Sequence, residues 1–564
     1  MGTARSPLPI PPPGSRTPRP AGARLARLGL IAWAALAGAC GDLWGERADA
    51  WDEPAQFPMT SIGLSGAVAV LDPSLDRLMM LRAAAPGSLA SSFLPLGENP
   101  VTTVASADAS TLFVLSRGVV PQRDANDQPP RLTVYDGGAA PGVRHLFPLS
   151  DALQGLAIDP AGRWAVVYDA GGILVNPNEL IFVDLENPDQ GAVPRTIRSH
   201  GSAPERLTFT DPLLVPGRGV TRFLVVETTN EVTLIDLGRV GAASADLGEV
   251  TIQLPQATNG SAGRPAQVVF HGGGTPDDEA SANDARLAVR LASDSNVMLV
   301  ELTEAPAGSG RDFSVTINVA DVGAFPSSIE FVSTDGAAAD GGVRLAALVP
   351  GRSEAVLVDP ATTLTQTVRL PRGFTHMTRV TRDLGGGRET ALLYSPSVTG
   401  VAFWSIDNAG SSFFSVDDRE LGIRVREVRE VPGRALRILE GEAADEFYVL
   451  DLETRESFPI LTELGTFQLQ VAPDGGRVWA LSVGTGYLGS LDLTDLHPYP
   501  LLLERPVAAI HEIRRADGGY AAVALHASLS GSGGASLAAT VLDASAPSTR
   551  VTSYHGGLLL GGLQ

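Results

Sequence analysis

Lysine is absent from all 564 residues, so the 42 positions counted as Lys+Arg are all arginine. Cysteine occurs once, at Cys40, which excludes a disulfide within the chain and leaves stability to packing. Acidic residues are missing from the first 39 positions, a stretch that holds Arg5, Arg16, Arg19, Arg24 and Arg27. Beyond it the balance reverses: 37 arginines remain against 63 acids, a formal charge of −26. Nucleic acid and anionic lipid are excluded as partners, because both are held by basic surfaces. Long apolar runs are lacking as well. The uncharged segment 28–39 is twelve residues, too short to span a bilayer and of the length of a signal-peptide core. At 44% hydrophobic residues, the remainder can still bury a large core.

The lone cysteine ends the run Leu36, Ala37, Gly38, Ala39, Cys40. Small residues before a single thiol, after an arginine-rich and acid-free leader, suit lipidation of the sulfur followed by cleavage before Cys40. The segment resembles the bacterial lipobox, with Leu36 one position further out than the usual leucine and Ala37 in its place. The resemblance implies a signal peptide over 1–39 and a lipidated Cys40 that anchors the body to a membrane. Two or more acyl chains hold stably where one is marginal. Gly41 stands where an aspartate would, in enterobacterial lipoproteins, signal inner-membrane retention, so the implied location is the cell envelope with the outer membrane favoured. Residues 41–57 carry Asp42, Glu46, Asp49, Asp52 and Glu53 and read as an acidic tether.

From residue 58 onward the chain repeats. Residues 101–115, 155–167 and 469–481 each hold a short apolar run, a turn built on Asp108, Gly162 or Asp474, and a second apolar run, which is the mark of a β-hairpin. A third strand follows, ending in an acid, and in some units a fourth. The acids are Asp136, Asp184, Asp236, Glu301, Asp359, Asp407, Asp451, Asp492 and Asp543, spaced 41 to 65 residues apart. Four strands at that period predict a propeller blade, whose sheets hide both faces against their neighbours. The fold expected is all-β: a β-propeller of four-stranded antiparallel blades over 58–564, with about eight to ten repeats. Rings hold roughly 4 to 8 blades in most cases, so ten repeats imply insertions, an unusual ring or two rings. The first unit reads as short of a strand, which the apolar tail 556–563 is expected to supply, closing the ring through both termini.

Residues 93–118 resemble the YVTN or WD40-like propeller repeat. Asp108 and Ala109 stand for its Asp-Gly turn, and Phe113, Val114, Leu115 and Ser116 for its closing Tyr-Val-Thr-Asn. That resemblance implies architecture and leaves function open.

Signatures of chemistry are thin. The histidines His145, His200, His271, His376, His497, His511, His526 and His555 show no metal-ligand spacing, and no HExxH, Walker A, GxSxG or EF-hand pattern occurs. His271 followed by Gly272, Gly273 and Gly274 looks like a lipase oxyanion loop but lacks a nucleophile elbow, and is read as a turn. The acids Asp277, Asp278, Glu279 and Asp284 lack fixed ligand spacing for calcium and are read as a solvated loop. Asp417 and Asp418 are read as a turn rather than an acid/base pair, because neighbours on a strand point oppositely. The third-strand acids are read as hydrogen-bond partners at blade turns. His511 and His526 are read as satisfied sheet histidines.

No catalytic residue, metal ligand or cofactor is assigned, and Cys40 is the one site residue. The function expected is that of an envelope-anchored lipoprotein serving as a non-enzymatic binding or scaffold propeller for a protein or glycan. The alternative is an exported propeller enzyme, lactonase-like or quinoprotein-like, with its site in the central funnel. Quinoprotein propellers carry a tryptophan in blade after blade, whereas 58–564 holds only Trp164, Trp404 and Trp479.

Overall fold

Strand after strand pairs antiparallel with its successor, because apolar runs of four to seven residues are punctuated by turn residues at each end. The computed structural model describes residues 60–558 apart from 73–75, 139, 171–175, 200–202, 243–247, 257–262, 272–284, 334–341, 381–388, 407–414, 443–445, 463–466, 483, 530–534 and 546–549. Cys40, the leader, the tether and the acidic loop around Asp277 lie outside the described residues, as do His200, Asp407 and the tail 559–564.

The described residues form ten four-stranded blades, and the architecture is the β-propeller expected. Blades 1 to 6 span 60–95, 100–148, 155–196, 206–253, 265–321 and 328–369. Blades 7 and 8 occupy 376–461 as one seven-stranded sheet, and blades 9 and 10 span 468–502 and 509–555. Blade 4 carries an extra hairpin, Leu213–Val215 with Gly219–Thr221, between its first two strands.

Each blade is apolar on both faces of its middle strands, so each must be covered twice. The cores run accordingly from blade to blade. Leu78 and Met80 of blade 1 meet Leu112, Val114 and Tyr135 of blade 2, and Leu115 and Val134 meet Ala165 and Val183 of blade 3. The series returns on itself. Val68, Val70, Met79 and Leu81 of blade 1 pack against Ile513, Val523, Leu525 and Val541 of blade 10. Across this seam the Arg514 N–H donates to the Ser65 carbonyl at 2.8 Å, and Ser553 Oγ donates to the Gly87 carbonyl at 2.6 Å. Trp164, Trp404 and Trp479 all lie in such inter-blade cores.

Blade 1 does not lack a strand. Thr60–Gly63 pairs with Val68–Asp72, a segment missed because Thr60, Ser61, Ile62 and Gly63 carry one large apolar side chain between them. Blade 10 also has four strands of its own. Closure therefore comes from packing of two complete sheets rather than from a shared one.

Blades 7 and 8 are joined without a loop. Ser415–Glu430 is one strand whose first half is the outer strand of blade 7 and whose second half is the inner strand of blade 8. The register jumps between Thr399 and Val401, opposite Arg424 and Arg419, and the bulged residues between them send Leu421 and Ile423 into the core between the two blades. Gly400 makes the jump possible. Its φ is +83°, and a Cβ there would lie 2.3 Å from the Arg419 carbonyl oxygen. Asp417 and Asp418 thus lie in a strand, not the turn expected.

Candidate binding surface

Where neighbouring sheets approach most closely, first strands meet: Thr60–Gly63 with Ala509–Arg514, Pro100–Ala105 with Gly155–Ile158, Pro265–His271 with Ser328–Ser333. Fourth strands, such as Thr365–Arg369 and His497–Leu502, are the most exposed. First strands therefore face the axis and fourth strands the rim. The loops joining first to second and third to fourth strands share one face of the disc.

On that face the third-strand acids act as turn caps. Asp184 Oδ1 accepts from the Glu186 and Asn187 N–H groups at 3.0 Å, and Asp451 Oδ1 from those of Glu453 and Thr454. Asp136, Asp236, Asp359, Asp492 and Asp543 each accept from a backbone N–H two residues on. Glu301 departs from this pattern: its strand runs on to Glu304, and Glu301 lies mid-strand, 3.9 Å from Arg286.

Charges on the first strands are used by their neighbours. Arg206 makes a two-pronged pair with Glu227 at 2.7 and 2.5 Å, and Arg379 does the same with Glu389 at 2.5 and 3.2 Å. Arg426 and Arg429 converge on Glu440. Gln267 stitches blade 5 to blade 6, donating to the Ile329 carbonyl and accepting from its N–H. His511 contacts Ser61 Oγ through Nε2 at 2.9 Å, and His526 sits between the Pro506 carbonyl and Thr540 Oγ1. Both histidines are satisfied within the sheets. His376 stacks on Tyr394, with ring centroids 4.9 Å apart, and its pKa is pushed down by burial. Near Arg379 and Glu389 lies Glu330, whose carboxyl is pushed up by burial against the pull of Arg379.

Open space lies between blades on the loop face. A cavity of about 700 Å³ separates blades 2 and 3, with Phe113, Val134, Ile158 and Leu185 as its apolar lining and Asp108, Arg144, His145, Asp159 and Glu186 as its polar one. Asp108 is fixed by Ser106 Oγ at 2.6 Å and by the Ser110 N–H at 3.0 Å, and these bonds, Ser106's first, hold its carboxyl below the usual range. Asp159 is held by Arg222 Nη1 of blade 4 at 2.6 Å. A second cavity, about 310 Å³, shares Asp159, Ala161 and Glu186 and adds Arg163, Trp164 and Arg222. The two flank the same blade 3 loops. Together they offer donors and acceptors of both signs over apolar walls, the chemistry of a site for a polar chain rather than a lone ion. A third cavity, about 410 Å³, lies at the closing seam with Arg82, Arg514 and Arg515.

In the sequence these loops read only as turns. Ser106, Asp108 and Ser110, like Asp159 and Gly162, were visible as hairpin punctuation. That two such turns from successive blades bound one groove follows from inter-blade packing, which no linear pattern displays. Among the described residues, no three His, Cys, Asp or Glu side chains are grouped to hold a metal.

No protein-family model and no curated protein matches the chain. Among solved structures it is similar to dihydro-heme d1 dehydrogenase NirN in complex with DHE, at 16% identity over 66% of this chain and 71% of that one, TM-score 0.38. A eukaryotic initiation factor is similar at 9% identity over 89% and 98% of the two chains, TM-score 0.40. The β-propeller domain of Cps50 (Swd1) from Myceliophteria thermophila is similar at 13% identity over 62% and 95%, TM-score 0.32. No function passes from these proteins to this one. The sheets of the described residues, ten blades with successive cores, define its class, a β-propeller protein.

Proposed function

We propose that this protein is an envelope-anchored lipoprotein whose propeller is a non-enzymatic binding scaffold, held to a membrane through Cys40 and engaging a protein or glycan with the loop face of blades 2 to 4. The observation that carries the reading is the pair of grooves flanking the blade 3 loops, lined by Asp108, Arg144, His145, Glu186 and Arg163. The anchor rests on the residues around Cys40. A groove of mixed polarity over apolar walls gives an extended partner hydrogen bonds for orientation and apolar contact for affinity.

The test is retention of envelope extract, both protein and glycan fractions, on the purified protein beside a Glu186→Arg, His145→Ala double variant. Loss of a retained component with the variant, at unchanged thermal stability, supports the groove. Equal retention by both places the partner elsewhere.

A second reading, an exported propeller enzyme, draws on Glu330, an acid on a first strand with its carboxyl pushed up by burial beside Arg379 and Glu389. In that reading Glu330→Gln abolishes turnover of a substrate that binds at the axis. In the scaffold reading the same substitution leaves partner retention unchanged.

A further inference from the structure

Outer strands end the hydrogen-bonding ladder of every blade, and most are blunted against pairing with another chain. Pro194 interrupts the outer strand of blade 3, Pro459 that of blade 8, and Pro498 with Pro500 that of blade 9. Blade 7 presents Asp417, Asp418, Arg419 and Glu420. Bulges break the ladders of blades 2 and 10, and the outer strands of blades 4 and 6 are only five residues long. Blade 5 differs. Its outer strand, Phe313–Asp321, is nine residues long, pairs without a bulge, holds no proline and carries its single charge at the last position. Ile317 and Val319 on it are 44% and 46% exposed.

The direction of its free groups follows from the register. One step past the strand, Val322 donates its N–H to the Ser295 carbonyl, its partner in the ladder. Even-numbered residues therefore turn their backbone groups inward to the third strand, and residues 313, 315, 317, 319 and 321 turn theirs outward.

We propose that this edge pairs with the same edge of a second copy, antiparallel about a two-fold axis at Thr316. In that register Val315 faces the second copy's Ile317 on one side of the joined sheet, and the exposed Val319 comes level with Phe313, whose side chain is buried in the core between blades 4 and 5. Ser314 faces Asn318, and Thr316 faces its own counterpart, on the other. The exposed Arg311, two residues before the strand, comes level with Asp321 of the second copy. Sliding the register by two residues sets Phe313 against Asp321 in one direction and Arg311 against Val319 in the other. Apolar, hydroxyl-amide and charge matches coincide only about Thr316, and cross-strand matches of these kinds set register. The result is a closed two-fold dimer rather than an open array.

The central pair makes the test specific. Thr316 and its counterpart form a non-hydrogen-bonded pair, whose Cα atoms come about 4.5 Å apart, within disulfide range. Because Cys40 is the sole native cysteine, a second thiol is unambiguous in a Cys40→Ala background. Under mild oxidation, Thr316→Cys is expected to link two chains nearly completely, and Asn318→Cys, four residues out of register with its own counterpart, at least tenfold less. Ile317→Pro removes an outward N–H without touching the blade's own ladder, and is expected to leave the thermal midpoint in place and abolish the dimer seen by native mass spectrometry across the micromolar range. A monomeric parent protein, equal linking at both cysteines, or a dimer that survives Ile317→Pro overturns the proposal.

Discussion

Trp479, in the core between blades 9 and 10, donates its indole N–H to the Glu512 carboxylate on the first strand of blade 10 at 2.8 Å. Burial nevertheless pushes the Glu512 carboxyl up to about 7, with Asp474 adding to the shift and Trp479 and Arg477 opposing it. One residue away, His511 is turned to the seam with blade 1, where burial pushes it down to about 4. Two adjacent residues on one strand therefore oppose each other in their dependence on pH.

Glu512, raised from 4.5, contributes its full stability below pH 4.5, and its contribution is lost as pH rises through about 7. His511, lowered from 6.5, contributes above pH 6.5 and loses its contribution as pH falls through about 4. Between pH 4.5 and 6.5 these two contributions change with opposite sign and cancel. In His511→Gln, unfolding free energy should decline from pH 4.5 to 7 by about 3 kcal/mol, and in Glu512→Gln it should rise from pH 4 to 6.5 by a similar amount. Denaturant titrations at stepped pH check both slopes, and parallel curves for the two variants contradict the assignment.

Gly400→Ala should cost about 1–3 kcal/mol or more, since the residue needs a left-handed backbone and its Cβ would strike the Arg419 carbonyl. Ala402→Gly, two residues along the same strand, serves as a comparison without that clash. Chemical unfolding that finds Gly400→Ala neutral would show the continuous strand between blades 7 and 8 to be wrong.

The seam between blades 10 and 1 should be as costly to damage as any other. Leu81→Ala there and Leu115→Ala between blades 2 and 3 remove similarly buried side chains, and each is expected to lose about 2–5 kcal/mol. A much smaller loss for Leu81→Ala would mean that the ring opens readily at that point.

Much of the architecture was legible because blades repeat their chemistry. Asp136, Asp184, Asp236, Asp359, Asp451, Asp492 and Asp543 mark third-strand ends, since a capped turn needs an acceptor at that point in unit after unit. Legibility failed where one segment serves two masters. Ser415–Glu430 answers to two blades, its register shifting against each, and the exposed runs Asp418 to Glu420 and Arg426 with Glu427 break the alternation that a strand in one sheet would keep. It failed also at Thr60–Gly63, where a strand covered by its neighbours on an inner edge carries no apolar pattern of its own. The grooves beside blade 3 were invisible for a different reason. Asp108 and Asp159 lie 51 positions apart in sequence, and only the packing of blade 2 on blade 3 sets them around one cavity.

The anchored-scaffold account is tested most directly by membrane fractionation with intact-mass analysis of the native protein beside a Cys40→Ala variant. The account predicts a native chain that begins at an acylated Cys40 and sediments with the outer membrane, and a variant that is released or left unprocessed. Soluble protein in both cases, cut at a position other than Cys40, would contradict it and leave a secreted propeller without an anchor.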